Sequence, residues 1–286
     1  MARYGWDMTV VITGATGNVG GNVVAGLLER GVPVRVTSRD PGGAVFPAGV
    51  EVAPADLTEP ESLRAALVGA DRVFLYPRMQ DPDALVAVLS EAGVEHVVLL
   101  SSSAAAAEGV EDDFNGGNLL RRIERPLAAS GLTYTFLRPD TFAGNASAWR
   151  HTIRASGTVP LPYPDSVQVP IHEKDIADVA VVALTTDRLN NAAPVLTGPE
   201  RITLREQVAA IGAAIERELT VVEQTEAEAR EFFGRFMAPR FFDAILGAWR
   251  ASVGATPEIS PEVEKITGHP GRTFARWAVD HADRYR

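Results

Sequence analysis

Cysteine is missing from all 286 residues, which excludes disulfides, thiolate nucleophiles and cysteine-held metals. That absence suits a reducing cytoplasm, the compartment expected for this chain. Lysine is almost missing too: of 27 basic residues only Lys174 and Lys265 are lysines, so a proton relay that needs lysine at a set spacing has few places to form. No apolar run approaches the roughly 20 residues that cross a bilayer. No basic segment runs into an apolar core near Met1, so neither secretion nor a membrane is expected. A formal net charge of −10 opposes nucleic acid and anionic lipid as partners, since the basic residues do not cluster. The histidines His96, His151, His172, His269 and His281 show no H-x-x-x-H spacing, and no metal is expected.

What is present is a chain 46% hydrophobic and 22% charged, a composition that builds a packed core. Short apolar runs predict strands over 8–13, 32–37, 50–53, 72–76, 96–101 and 134–138. Between them, helical patterns cover 19–30, stopped by Gly31, and 60–68, with Thr58 and Glu61 as a T-x-x-E cap. Others run from Asp81-Pro82 to Gly93 and over 118–129, stopped by Gly131. Strands alternating with helices imply a doubly wound parallel sheet of the Rossmann type, because each parallel connection needs a crossover. Beyond Pro139 the pattern loosens into helices at 174–185, 204–218, 226–235, 240–253 and 273–284. The expected division is a nucleotide-binding domain over 1–138 and a smaller, mostly helical substrate region over 139–286, with elements free to cross back.

The first strand and first helix are joined by Thr13-Gly14-Ala15-Thr16-Gly17-Asn18-Val19-Gly20. Three glycines at three-residue spacing, placed there, allow a tight turn and let backbone amides reach a diphosphate at the positive end of the helix. Gly14, Thr16, Gly17, Asn18 and Val19 are the expected phosphate contacts. At the end of the second strand, where NAD-selective domains carry an acid for the ribose, stand Thr37-Ser38-Arg39. A guanidinium pairs well with a 2′-phosphate, so Arg39, helped by Ser38, favours NADP(H) as cofactor. Asp40 reads as a turn residue before Pro41; turned inward it would favour NAD instead.

TGATGNVG at 13–20, Asp56-Leu57 after the third strand and SGLTYTFLRP at 130–139 together resemble the NmrA-like family of atypical short-chain dehydrogenases. HEKDIADVAVVAL at 172–184 and TGHPGRTFARWAVDHA at 267–282 extend the resemblance over nearly the whole chain. The family includes quinone reductases, triphenylmethane-dye reductases and regulators that bind the cofactor without turning it over. The resemblance implies that Asp56 and Leu57 lie against the adenine, and Tyr76 and Pro77 beside the nicotinamide. It also implies that Ser102, Pro139 and Phe142 line the same cleft. A turn cap for Asp56 and a core aromatic for Tyr76 are the plainer alternatives.

Short-chain dehydrogenases commonly use a Tyr-x-x-x-Lys pair, in which lysine lowers the tyrosine pKa for proton exchange. None of Tyr4, Tyr76, Tyr134, Tyr163 and Tyr285 is followed by lysine at that spacing. With Glu124 matched to the family's helix glutamate, the pair's positions fall near Gly116 and Leu120. Hydride transfer to a strongly electrophilic acceptor asks little of a proton donor, so the expected activity is an NADPH-dependent reductase. Its substrate would be a planar, apolar, electron-poor small molecule of the quinone, enone or aromatic polyketide type. Ser103 is the candidate to polarise an oxygen and Tyr76 to supply a proton. Ser101 to Ser103 read equally well as a strand end satisfying backbone groups.

Phe142, Asn145, Trp149 and His151 follow the sixth strand as a candidate substrate wall. His172 opens a helix, as a cap or a substrate contact. Phe232, Phe233, Phe236, Met237, Phe241 and Phe242 form an aromatic group, either core or lid. A sensor of the NADP+/NADPH ratio and a cofactor-bound isomerase or cyclase are the alternative functions, and a homodimer is left open.

Overall fold

The computed structural model describes residues 8–43, 45–106, 117–234 and 237–286. Gly116, matched above to the family's tyrosine, and Phe236 of the aromatic group lie outside the described residues.

Along the chain run β1 (Val10–Ile12), α1 (Asn18–Glu29), β2 (Val34–Ser38) and β3 (Glu51–Pro54). A 3₁₀ turn at Pro60–Leu63 leads into the short α2 (Arg64–Leu67), then β4 (Arg72–Leu75), α3 (Pro82–Glu91), β5 (His96–Leu100), α4 (Gly117–Ala129) and β6 (Thr133–Pro139). After these come α5 (Arg150–Ser156), β7 (Thr158–Leu161), β8 (Val167–Gln168), α6 (Glu173–Thr185), β9 (Val195–Leu196) and β10 (Ile202–Thr203). The remainder is α7 (Leu204–Ala214), β11 (Thr220–Glu223), α8 (Glu226–Phe233), α9 (Pro239–Ala251), α10 (Glu262–Thr267) and α11 (Phe274–Asp280). Among the described residues no helix is long and apolar enough to cross a membrane.

The main sheet has seven strands in the order β3-β2-β1-β4-β5-β6-β9, and β1 to β6 pair in parallel. Strand order reverses between β1 and β4, so the connections leave that point in opposite directions and open a crevice at the carboxyl ends of both strands. Alternate residues of each strand face opposite layers. Val11, Val73, Leu75, Val97 and Leu99 join Leu67, Leu85, Leu89, Ile123 and Leu127 in one core. On the other face α1 packs on α6, closely enough that a Cβ on Gly26 would stand 3.0 Å from Val181 Cγ2.

Asp81 caps α3 as its sequence suggests, accepting the Ala84 N–H at 3.0 Å. The T-x-x-E cap at Thr58 does not form. Pro60 occupies the first helical position and makes Glu59 the N-cap residue, so Glu61 arrives one place early. The Thr58 hydroxyl instead donates to Asp56 Oδ1 at 2.8 Å. The helix expected over 204–218 ends at Ala214, because Glu216 takes a positive φ of 56° and the Arg217 amide turns back to Gly212.

Two compact units divide the chain. Among the described residues the first takes 8–43, 45–106, 117–139 and Glu173–Val195; the second takes 140–172 and Leu196–Arg286. Segment 173–195 thus returns to the sheet unit, bringing α6 with it. The second unit is built of α5 and α7 to α11 with two small sheets, β7 paired with β11 and β8 with β10. Its core gathers Trp149, Ile153, Ile211, Phe274, Trp277 and Tyr285.

Candidate cofactor and catalytic site

At the carboxyl end of β1 the buried Thr13 hydroxyl donates to the Phe74 carbonyl at 3.0 Å and accepts the Tyr76 N–H at 2.7 Å. The chain then turns at Gly14, whose φ of +65° disfavours any residue with a Cβ. The Gly17 amide closes the turn onto the Gly14 carbonyl at 2.9 Å. Gly20, one turn into α1, lies so close beneath that an added Cβ would meet the Gly14 oxygen at 2.3 Å. Gly17 caps α1 with extended backbone and no side-chain bond, and no acid stands in the first helical turn. Exposed Thr16 and Asn18 with half-buried Gly14 therefore form a cradle of backbone donors at a positive helix end, and exposed Gly17 keeps the turn closed. These residues fit a dinucleotide diphosphate, because the glycines let the turn close tightly on Tyr76 and on the helix end, whose first amides lack acidic neighbours and suit an anion.

Beyond β2, Ser38 Oγ accepts the Asp40 N–H at 3.1 Å, and Asp40 Oδ1 accepts the Gly43 N–H at 3.1 Å. Asp40 is thus engaged in its own turn, and exposed Arg39 is the cation of this corner. Asp56 accepts the Thr58 amide at 2.9 Å and its hydroxyl at 2.8 Å. These bonds, with the nearby positive charges of Arg39 and Arg78, hold its carboxyl below the usual range. The turn-cap role of Asp56 is therefore observed, and Leu57 packs partly on the core.

Tyr76 follows β4 and is 42% exposed. Its Cβ would stand 2.9 Å from a Cβ on Gly14, so it lies against the phosphate turn rather than in the core. Half-buried Pro77 comes next, and the Arg78 amide bonds back to the Tyr76 carbonyl at 2.8 Å.

Ser101, at the end of β5, donates its hydroxyl to Glu124 Oε1 at 2.6 Å. Arg138 of β6 binds the same carboxylate through Nε at 3.1 Å and a terminal nitrogen at 2.7 Å. Ser102 Oγ accepts the Ala104 amide at 3.2 Å, and Ser103 opens a 3₁₀ turn at Ser103–Ala106. Arg121 of α4 donates to the Ala104 carbonyl at 3.2 Å. Leu120, at the position matched to the family's lysine, is buried in the sheet core. No proton carrier stands there. Pro139 is buried at the end of β6.

In the second unit Phe142 and Ile171 form a parallel bridge, fixed by the Ala143 amide on the Ile171 carbonyl at 2.9 Å. His172 directly follows the bridge partner of Phe142. His172 is wholly buried, with Nε2 3.5 Å from Asp280 Oδ2. Trp149 is a core residue of this unit, 5% exposed, while Asn145 and His151 face solvent. The expected wall is therefore split, with Trp149 turned inward. Phe233 stacks on Phe242 at 4.8 Å and meets Phe232 edge-on at 5.1 Å. Phe233 and Phe242 are buried there, with Met237 packed against them, so these aromatics form a small core, and Phe241, alone among the described members of the group, is largely exposed.

The sequence offered no direct sign of three features: the Thr13 bridge, Arg78 beside Asp56, and the Ser101–Glu124–Arg138 cluster. The LRP of SGLTYTFLRP was the one available clue, since an arginine inside an apolar strand needs a buried acid.

A parallel sheet whose order reverses at β1, with a glycine cradle at that point, defines an NAD(P)-binding Rossmann unit. The NAD(P)H-binding family model matches residues 14–187, and the chain belongs to that family. It is 35% identical to (4-alkanoyl-5-oxo-2,5-dihydrofuran-3-yl)methyl phosphate reductase of Streptomyces griseus, over 96% of this chain and 99% of that one. The NAD(P)H azoreductase of Xenophilus azovorans is 33% identical, over 96% and 98%. Among solved structures, the Escherichia coli NADPH-dependent quinone oxidoreductase in complex with NADPH superposes with a TM-score of 0.79 at 22% identity, covering 95% of this chain and 99% of that one. The chain is an NAD(P)H-dependent oxidoreductase with the expected NmrA-like, Rossmann-type fold.

Proposed function

We propose that this oxidoreductase uses NADPH to reduce a planar, electron-poor conjugated small molecule, an acyl enone or quinone in the first instance. One observation carries the reading: the phosphate cradle is intact while the lysine position of the proton relay is filled by core Leu120. An enzyme so built suits acceptors whose electrophilicity, rather than general acid catalysis, drives the reaction. Relatives named for a conjugated dihydrofuranone and an azo substrate support that class.

When bound, the reduced cofactor would rest its diphosphate on the amides of Gly14, Thr16 and Asn18 and would supply a hydride. In this reading Arg39 and Ser38 hold the 2′-phosphate, while Leu57 and Asp56 border the adenine. Tyr76 and Pro77 border the nicotinamide, with Ser102 and Pro139. Ser103 polarises an acceptor oxygen, and the Tyr76 phenol or water provides the proton that balances the hydride. On the second unit Phe142 is the candidate substrate contact, with Asn145 and His151 at its edge, whereas wholly buried His172 faces Asp280 instead of a ligand.

The test is NADPH oxidation followed at 340 nm against a quinone, an acyl-substituted dihydrofuranone, an azo dye and a saturated ketone. Conjugated acceptors are expected to react at least roughly 100-fold faster than the ketone, a barrier difference of about 3 kcal/mol. Equal rates, or reaction with the ketone alone, would overturn the proposed substrate class.

A further inference from the structure

The exit of β5 is held from one side by a single helix. Glu124 and Arg121 are three residues apart on α4 and therefore share a face. Arg121 grips the Ala104 carbonyl, while Glu124 takes the Ser101 hydroxyl at 2.6 Å. Across the sheet the Ser101 amide binds the Leu137 carbonyl at 2.7 Å. Arg138, next in β6, clamps both oxygens of Glu124.

Glu124 is 5% exposed and Ser101 4%. A carboxylate placed so deep is costly unless its lone pairs are filled. Here three donors fill them: two from Arg138 and one from Ser101. The fork of Arg138 fixes the plane of the carboxylate, and the plane in turn dictates where the Ser101 oxygen sits. Ser101 has little rotational choice, since another rotamer leaves a buried acceptor short of a donor. The next two residues in the chain are Ser102 and Ser103. No core-packing need requires a charged cluster at this point, because apolar side chains of similar volume would close the same gap.

We infer that Glu124 is a positioning residue: locked by Arg138, its carboxylate orients Ser101 and thereby sets the Ser102–Ser103 exit of β5 for hydride transfer. The inference rests on the reading that Ser102 and Ser103 serve the nicotinamide end of the site. Neither Glu124 nor Arg138 touches substrate. They act through the backbone of the serine run, where an error of about 1 Å costs on the order of 100-fold in rate.

The experiment compares Glu124→Gln, Ser101→Ala and a control, Ile123→Val, which trims the core on the same helix without touching Ser101. For each, NADPH affinity, kcat and KM with a conjugated acceptor, and the thermal midpoint are measured. Glu124→Gln and Ser101→Ala are expected to lose roughly 10–100-fold in kcat, with NADPH affinity changed less than about threefold. Ile123→Val should keep kcat within about twofold despite a lower midpoint. Wild-type kcat in folded Glu124→Gln, or a loss that simply follows the thermal midpoint as in the control, overturns the inference. If Glu124→Gln does not fold, Ser101→Ala decides alone, since it leaves the Glu124–Arg138 pair in place. If wild-type protein binds NADPH but reduces none of the acceptors, the substrate reading fails separately. Positioning is then read from the fluorescence lifetime of bound NADPH, and lifetimes unchanged in both variants overturn it.

Discussion

The hydroxyl of Thr13 accepts the backbone N–H of Tyr76 at 2.7 Å. Its own proton goes to the Phe74 carbonyl, so one buried oxygen joins the ends of β1 and β4 at the point where the sheet order reverses. The phosphate turn and the Tyr76 corner therefore move together. Thr13→Val keeps the shape and removes the bridge, stranding the Tyr76 amide. The expected cost is about 1–3 kcal/mol of stability, with weaker NADPH binding. Thermal unfolding with and without NADPH measures both, and an unchanged affinity would separate the corner from the cofactor.

Gly20→Ala places a methyl where the Gly14 oxygen lies 2.3 Å away. Backbone cannot yield as a flexible side chain does, so the turn must open. NADPH affinity is expected to fall at least about tenfold with a stability loss of about 1–3 kcal/mol. Calorimetric titration checks the first and denaturant unfolding the second.

Arg39→Ala should weaken NADP+ binding by roughly 10–100-fold, the worth of a charge-assisted bond, and leave NAD+ binding within about twofold. Titration of each cofactor against both proteins reads the difference. An equal loss for the two would move the 2′-phosphate contact elsewhere.

His96 predicts a pH dependence of stability. Thr135 spends its proton on the Leu189 carbonyl at 2.7 Å, so its oxygen must accept from His96 Nε2, 2.9 Å away. Nδ1 is then the bare nitrogen of a neutral ring, buried without a hydrogen-bond partner among the described residues. Burial, reinforced by the positive charge of Arg72, pushes its pKa down to about 4 from 6.5. The unfolded chain therefore binds the proton more readily than the folded one. Stability from this group is complete above pH 6.5 and is lost as pH falls from 6.5 toward about 4, up to about 3 kcal/mol in all. Thermal midpoints of wild type and His96→Gln across that range test it; glutamine donates to Thr135 but does not titrate, so its profile should be flatter. Parallel profiles would assign the acid sensitivity to other groups.

Two T-x-x-E boxes at Thr203–Glu206 and Thr225–Glu228 form completely, whereas the same pattern at Thr58–Glu61 does not. The difference is Pro60, which shifts the cap by one residue and frees Thr58 for Asp56. A four-residue pattern is therefore decided by its neighbours. Leu120 makes the same point for the site. Its identity in the sequence removed the proton relay, yet only packing showed that it belongs to the core and that Arg121 beside it reaches Ala104. Arg138 is a charge within an apolar strand, and its partner stands fourteen positions away on another element.

By itself the sequence determined the alternation of strand and helix, the cap at Asp81, and the glycine cradle between β1 and α1. Each of these depends on residues within a turn or two of one another, where sterics and backbone hydrogen bonding act without help from the rest of the chain. Tertiary structure alone decided that β7 pairs with β11, that 173–195 returns to the sheet unit, and that Ser101, Glu124 and Arg138 share one buried charge. Those outcomes hinge on satisfying distant polar groups and apolar faces at the same time, and no local periodicity records which distant partner will do so.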